Sequence, residues 1–256
     1  MIKAAFFDID GTLMSHKSRS VPQSAREAVE KLQAAGILCV AATGRQIQQM
    51  NRLPVADIPF DAYITLNGQL ILDKDQKVLY GVPISGIAKD ILIRMFSNHE
   101  IPALLVEEQL TYLNFEDARV VAVQEAISTP TPPLGTYTGK DIYQVCAYLA
   151  EGEEVMVQEL EGHCVMTRWG FGGLDIIAPG GGKVTGIRWY LDQMGIGPEE
   201  VIAFGDAEND RDMLKFAGIG VAMGNATEDV KAVADFVTTD IDDDGIANGL
   251  KHFKLI

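Results

Sequence analysis

Short apolar runs alternate with amphipathic stretches at both ends of the chain. Residues 3–7 (Lys-Ala-Ala-Phe-Phe) are too few for a helix and apolar enough for a buried strand. Residues 22–35 carry Ala25, Ala28, Val29, Leu32 and Ala35 at helical spacing, with Pro22 suited to the first turn and Gly36 to the stop. A second buried strand, 37–42, ends at Thr43-Gly44-Arg45, and a helix is expected to follow to about Leu53. A third strand, 63–66, ends at Asn67-Gly68; residues 70–72 and 78–80 read as a hairpin across the polar 73–77. The last third repeats the rhythm: helix 183–194, strand 201–204, helix 210–216, strand 219–221, short helix 228–233 and strand 236–238. Alternation of this kind predicts an α/β fold, a Rossmann-like parallel sheet with helices on both faces.

The middle of the chain has another texture. A helix is expected at 84–98, short strands at 103–107, 111–114, 143–150, 164–168 and 174–178, and helices at 118–126 and 153–161. Residues 129–135, with Pro130, Pro132 and Pro133, read as a loop. This pattern predicts an α+β cap inserted into the core. Residues 1–82 and 181–256 would form one domain and 83–180 the other, joined at Gly180-Gly181-Gly182, whose permissive backbone suits a hinge.

Four polar clusters stand where these elements end. In open α/β sheets the ligand crevice lies outside the carboxyl ends of the strands. Asp8-Ile9-Asp10-Gly11-Thr12 follows the first strand, and two carboxylates two residues apart are costly unless a cation neutralises them or one holds a proton. A plain Asp-Gly turn with a helix cap is the alternative. Thr43-Gly44 offers a hydroxyl and a backbone N–H at a strand-to-helix turn, a phosphate cradle or simply an N-cap. Lys183 follows three glycines and opens a helix, where a cation is disfavoured unless an anion relieves it; a solvated lysine after a linker is the other reading. Asp206, Asn209 and Asp210 follow the strand at 201–204, and carboxylates so placed suit Mg²⁺ better than capping alone. The run Asp240, Asp242, Asp243, Asp244 reads as a solvated loop capping a helix at Gly245.

Composition narrows the partners. With 256 residues, 47% hydrophobic and 22% charged, the chain has the balance of an ordinary globular protein. Its 21 basic and 36 acidic residues leave a net charge of -15, which argues against nucleic acid and anionic membrane as partners but not against a small phosphate ester. Cys39, Cys146 and Cys164 form no Cys-x-x-Cys, so neither a zinc site nor a disulfide framework is expected. No run is long enough for a membrane span, and Asp8 and Asp10 interrupt the N-terminal apolar stretch, so it is not read as a signal peptide; a reducing cytoplasm is the expected compartment.

The four clusters, in this order, resemble the four motifs of the haloacid dehalogenase (HAD) superfamily. The module before Lys183, together with Asn67-Gly68 and the stretch Val221-Ala222-Met223-Gly224-Asn225-Ala226, is similar to the Cof-type sugar-phosphatase subfamily with its large cap. The resemblance implies that Asp8 attacks phosphorus and that Asp10 serves as general acid and base. It implies that Asp8, the Asp10 carbonyl and Asp206 hold Mg²⁺ while Asp210 orients a metal-bound water. It also implies that Thr43, Gly44 and Lys183 bind the phosphoryl oxygens, helped by Asn209. Arg45, Arg168 and Asp175 are further candidates for contacting substrate, with packing or surface roles as the alternative for Arg168, Trp169 and Asp175. The expected activity is hydrolysis of small phosphorylated metabolites. A phosphomutase on the same chemistry and a phosphate-binding protein without turnover are the rivals. Dehalogenation is disfavoured, because dehalogenases of the superfamily lack the second Asp of the first motif.

Overall fold

Ala4–Phe7 forms β1, four residues without solvent exposure. The computed structural model describes residues 1–126, 129–169 and 172–256. After β1 come α1 (Gln23–Ala34), β2 (Leu38–Ala42), α2 (Ile47–Met50), β3 (Ala62–Thr65), β4 (Leu70–Asp73) and β5 (Val78–Gly81). Then follow α3 (Gly86–Ser97), β6 (Ala103–Val106), β7 (Thr111–Leu113), α4 (Ala118–Ala126), β8 (Gln144–Tyr148), β9 (Val165–Trp169) and β10 (Gly173–Ile177). The chain closes with α5 (Lys183–Met194), β11 (Val201–Gly205), α6 (Arg211–Phe216), β12 (Ile219–Ala222), α7 (Glu228–Lys231), β13 (Phe236–Val237) and α8 (Gly245–His252).

The chain divides into two compact units, Met1–Tyr80 with Gly182–Ile256 and Gly81–Gly181. The first holds an eight-stranded sheet in the order β13-β12-β11-β1-β2-β3-β4-β5. Its strands are parallel from β13 to β3, and β4 runs antiparallel to β3. The fold is therefore α/β with a Rossmann-like core. β1 lies in the centre of this sheet, so the loop after it opens at the middle of the strands' carboxyl edge. Phe6, Val40, Ile64, Ile187, Tyr190, Leu191 and Leu214 pack into one core. At Gly186 a side chain would lie 2.8 Å from Ile64, so a glycine is needed for α5 to approach β3. That approach brings Lys183, at the head of α5, to the strand ends.

The second unit is a five-stranded antiparallel sheet, β7-β6-β8-β10-β9, packed with α3 through Ile84, Leu92, Phe96, Leu105, Val145, Leu174 and Ile176. Among the described residues no helix is long and apolar enough to cross a membrane.

Three elements depart from the sequence reading. The helix expected to reach Leu53 is only α2, followed by a 3₁₀ turn at Pro54–Asp57, because a residue before proline avoids helical backbone. Residues 153–161 form a 3₁₀ helix, Glu154–Leu160, whose two buried residues, Val157 and Leu160, are three apart, the 3₁₀ period. The helix expected from Asp210 begins with a 3₁₀ turn at Glu208–Asp210, since the Asp210 carboxylate folds back onto backbone N–H groups.

Candidate active site

Asp8 emerges from β1 into an almost solvent-free place, and Lys183 enters it from α5. Lys183 Nζ donates to Asp8 Oδ1 at 2.5 Å and to Asp210 Oδ1 at 2.6 Å. Asp210 Oδ2 accepts the backbone N–H groups of Asp206 and Ala207, both at 3.0 Å. Asp206 Oδ1 accepts from the Thr12 hydroxyl at 2.8 Å. Oxygens of Asp8, Asp206 and Asp210 lie within 4.8 Å of one another. Three carboxylates against one ammonium leave excess negative charge. Burial, then Asp210, pushes the Asp206 carboxyl up to about 7, and burial with Asp210 raises Asp8 well above its usual range despite Lys183. Burial opposes the charge on Lys183, but Asp210 and Asp8 outweigh it and raise its pKa. A donor set made only of carboxylates is hard, and its raised acids are relieved by a divalent cation. The residues present therefore fit a metal such as Mg²⁺.

Asp10, two residues on, is not part of this cluster. Arg45 clasps it with two hydrogen bonds, Nε to Oδ2 at 2.5 Å and Nη2 to Oδ1 at 2.8 Å. Arg45 thus binds a protein carboxylate, and the Asp10 side chain is held beside the three-carboxylate cluster. The turn after β2 places Thr43 at the same edge, buried, with its hydroxyl oxygen accepting the Arg45 N–H at 3.1 Å. This bond closes a local turn and not the expected helix cap, since the N-cap of α2 is Gln46, and the hydroxyl proton is left to donate to an anion.

A family model described as haloacid dehalogenase-like hydrolase matches residues 5–250. The chain belongs to the haloacid dehalogenase-like hydrolases. A protein of Bacillus subtilis named for a phosphatase, YkrA, is 30% identical over 99% of this chain and 98% of its own length. The phosphatase BT1666 from Bacteroides thetaiotaomicron superposes with a TM-score of 0.90 at 35% identity, covering 100% of this chain and 96% of its own. The HAD subclass IIB sugar phosphatase BT4131 superposes with a TM-score of 0.86 at 34% identity, covering 99% of this chain and 100% of its own.

In this HAD-like hydrolase the turn carrying Thr43 and Gly44 is braced by Asn67, which the sequence motifs did not mark as a site residue. Asn67 sits in the left-handed region (φ 53°), donates its N–H to the Thr43 carbonyl at 3.0 Å and accepts the Asn209 amide at 3.0 Å. A side chain at Gly44 would lie 3.2 Å from the Asn67 amide. Asn209 is therefore tied to the Thr43-Gly44 turn rather than to Lys183. The signal available in the sequence was the Asn-Gly pair ending β3, a common turn signature that shows nothing of what it braces. Thr12 was likewise missed, because a threonine after Asp-Gly is an ordinary turn residue.

The candidates in the second unit have structural partners. Arg168 donates through Nε to Glu154 at 2.8 Å and through Nη1 to the Leu149 carbonyl at 2.9 Å. Asp175, on β10, accepts the Cys146 thiol at 2.9 Å across the strand pair. The Trp169 side chain lies outside the described residues. Asp240 caps the 3₁₀ turn Ile241–Asp243 through the Asp242 N–H, whereas the helix at Gly245 has Asp244 as N-cap without the expected side-chain cap bond.

Proposed function

We propose that this protein is a Mg²⁺-dependent phosphatase of small phosphorylated metabolites, sugar phosphates first among them. The observation that carries the reading is the Asp8–Lys183 contact at 2.5 Å inside a cluster of three carboxylates, at the carboxyl end of the central strand. Asp8 and Asp206, with the Asp10 carbonyl, would hold the metal and Asp210 would support it from behind. When bound, Mg²⁺ would neutralise the carboxylates and the phosphoryl oxygens.

The chain's own groups then divide the work. Asp8 attacks phosphorus, the bond to the leaving oxygen breaks, and an aspartyl phosphate forms. Lys183, the Thr43 hydroxyl and the Gly44 N–H bind the remaining phosphoryl oxygens as their charge shifts. Asp10, released from its pair with Arg45 and protonated, gives its proton to the leaving alkoxide. It then takes one from the water that hydrolyses the acyl phosphate, which returns Asp8 and releases phosphate. Sugar phosphates are favoured because a structural relative at 34% identity is named a sugar phosphatase. The inserted unit, Gly81–Gly181, is assigned the choice of leaving group, since the core residues named above are all engaged with phosphate, metal or each other. Three free thiols and the net charge of -15 fit a reducing cytoplasm and no nucleic-acid or membrane partner.

The test is a panel of sugar phosphates and other phosphorylated metabolites, with Mg²⁺ and with EDTA, reading free phosphate and isomerised product separately. Mg²⁺-dependent release of phosphate supports the reading. Isomerised product in place of free phosphate shows a phosphomutase, and binding without either product shows a non-catalytic protein.

A further inference from the structure

The loop that carries Asp8, Asp10 and Thr12 is braced from outside the four motifs. We propose that Asn225 is a positioning residue that fixes this loop for metal binding; the inference rests on the metal-dependent reading above. The Asn225 amide Nδ2 donates to the Gly11 carbonyl at 2.8 Å, and its Oδ1 accepts the Ile241 N–H at 3.0 Å. One exposed side chain thereby links the nucleophile loop to the segment before α8.

The loop needs that link. The Gly11 N–H is bonded to the Met14 carbonyl at 2.9 Å, but the Thr12 N–H reaches the Ile9 carbonyl only at 3.4 Å. The Gly11–Thr12 peptide is thus weakly fixed by the loop itself, and Asn225 holds its carbonyl. That peptide sets two features of the metal cluster. It positions the Thr12 side chain, whose hydroxyl donates to Asp206 at 2.8 Å. Its Gly11 side, at φ 89°, packs so close to Asp206 that a Cβ would lie 2.2 Å from a carboxylate oxygen. Rotation of this peptide therefore displaces Asp206 through both contacts. Asn225 itself stands on a firm base: the Gly224 N–H donates to the Thr239 carbonyl at 3.0 Å, and Ile241 is buried.

Asn225→Asp separates the two bonds. A carboxylate still accepts from Ile241 but cannot donate to Gly11. Its added negative charge would by itself strengthen cation binding, so weaker binding cannot be a charge effect. Asn225→Ala loses both bonds and adds no charge. The experiment titrates each purified protein with Mn²⁺ by electron paramagnetic resonance, with metal-free thermal unfolding alongside. Both folded variants are expected to bind Mn²⁺ about tenfold more weakly than wild type, the size of effect typical when a group supporting metal ligands is lost. The Mg²⁺ concentration that half-saturates p-nitrophenyl phosphate hydrolysis should rise by a similar factor. Asn225→Asp binding Mn²⁺ as tightly as wild type, or wild-type affinity in folded Asn225→Ala, overturns the proposal and leaves Asn225 as a tie for the 239–245 segment alone. The Mn²⁺ titration does not depend on turnover. A wild-type protein without phosphatase activity would sink the proposed function while this measurement still decides the role of Asn225.

Discussion

Lys183 Nζ lies 2.6 Å from Asp210 Oδ1, with both side chains wholly shielded from solvent. Asp210 uses its other oxygen to hold the turn that carries Asp206. The aspartate thus joins the head of α5 to the end of β11 and delivers the lysine to Asp8. A buried ammonium so placed is fully paired, and removing either partner leaves uncompensated charge.

Lys183→Ala should therefore act on both rate and stability. Without the ammonium, Asp8 and Asp210 lose the counter-charge they share. We expect kcat to fall by about 10²-fold or more, the loss typical of one preorganised donor. Metal-free stability should fall by about 3–5 kcal/mol, as for other broken buried pairs. Kinetics at saturating Mg²⁺ and urea unfolding in EDTA check the two halves. A drop in kcat of only about twofold, against the roughly 10²-fold expected, would remove Lys183 from contact with the phosphoryl group.

The raised carboxyls make metal binding proton-linked. Burial and Asp210 bring Asp206 to about 7, and Asp8 is raised by the same causes. In the folded metal-free protein these groups hold protons that the unfolded chain has already released. Their contribution to metal-free stability is greatest below the ordinary carboxylate pKa and is lost as pH rises towards 7. Mg²⁺ must displace the protons, so its affinity should weaken by roughly tenfold per pH unit for each proton displaced below about pH 7. Calorimetric titrations at several pH values test this. Affinity independent of pH between about 5 and 7, where linkage predicts a slope, would contradict it.

Gly11→Ala should abolish metal binding with the core intact. The position has φ 89°, and a methyl group would sit 2.2 Å from an Asp206 oxygen, so backbone and carboxylate cannot both keep their places. Far-ultraviolet circular dichroism should be unchanged while Mn²⁺ binding is lost. Wild-type Mn²⁺ affinity in this variant would show that the Asp8–Thr12 loop does not shape the metal site.

The strands, α1 and α5 were legible because buried parallel strands read as short apolar runs and amphipathic helices as periodic stripes. Asp8, Lys183, Asp206 and Asp210 stood out because each is a charge at the end of an apolar strand or the head of a helix, where turns, caps or a solvated lysine do not explain all four together. The struts could be read only as pieces of motifs, not for what they brace. Asn67, Thr12 and Asn225 are small polar residues in turns, indistinguishable by type from any turn residue, and each acts through partners far off in sequence. Thr12 and Asp206 are 194 residues apart, as are Asn225 and Gly11 by 214. Arg45 looked like a ligand for substrate because the sequence does not show that Asp10 lies within its reach. The 3₁₀ helix Glu154–Leu160 reads as an α-helix in the sequence because three-residue and helical spacing coincide over so short a stretch.

Transfer of the phosphoryl group to Asp8 is the central claim, and trapping it is the most direct measurement. Wild-type protein mixed rapidly with substrate and Mg²⁺, quenched in acid and examined by intact-protein mass spectrometry should carry one phosphoryl group. The adduct should be labile to hydroxylamine, as an acyl phosphate is, and should map to Asp8. Folded Asp8→Asn should show neither the adduct nor turnover. Steady turnover with no adduct at any quench time and near wild-type rates in Asp8→Asn would contradict the account.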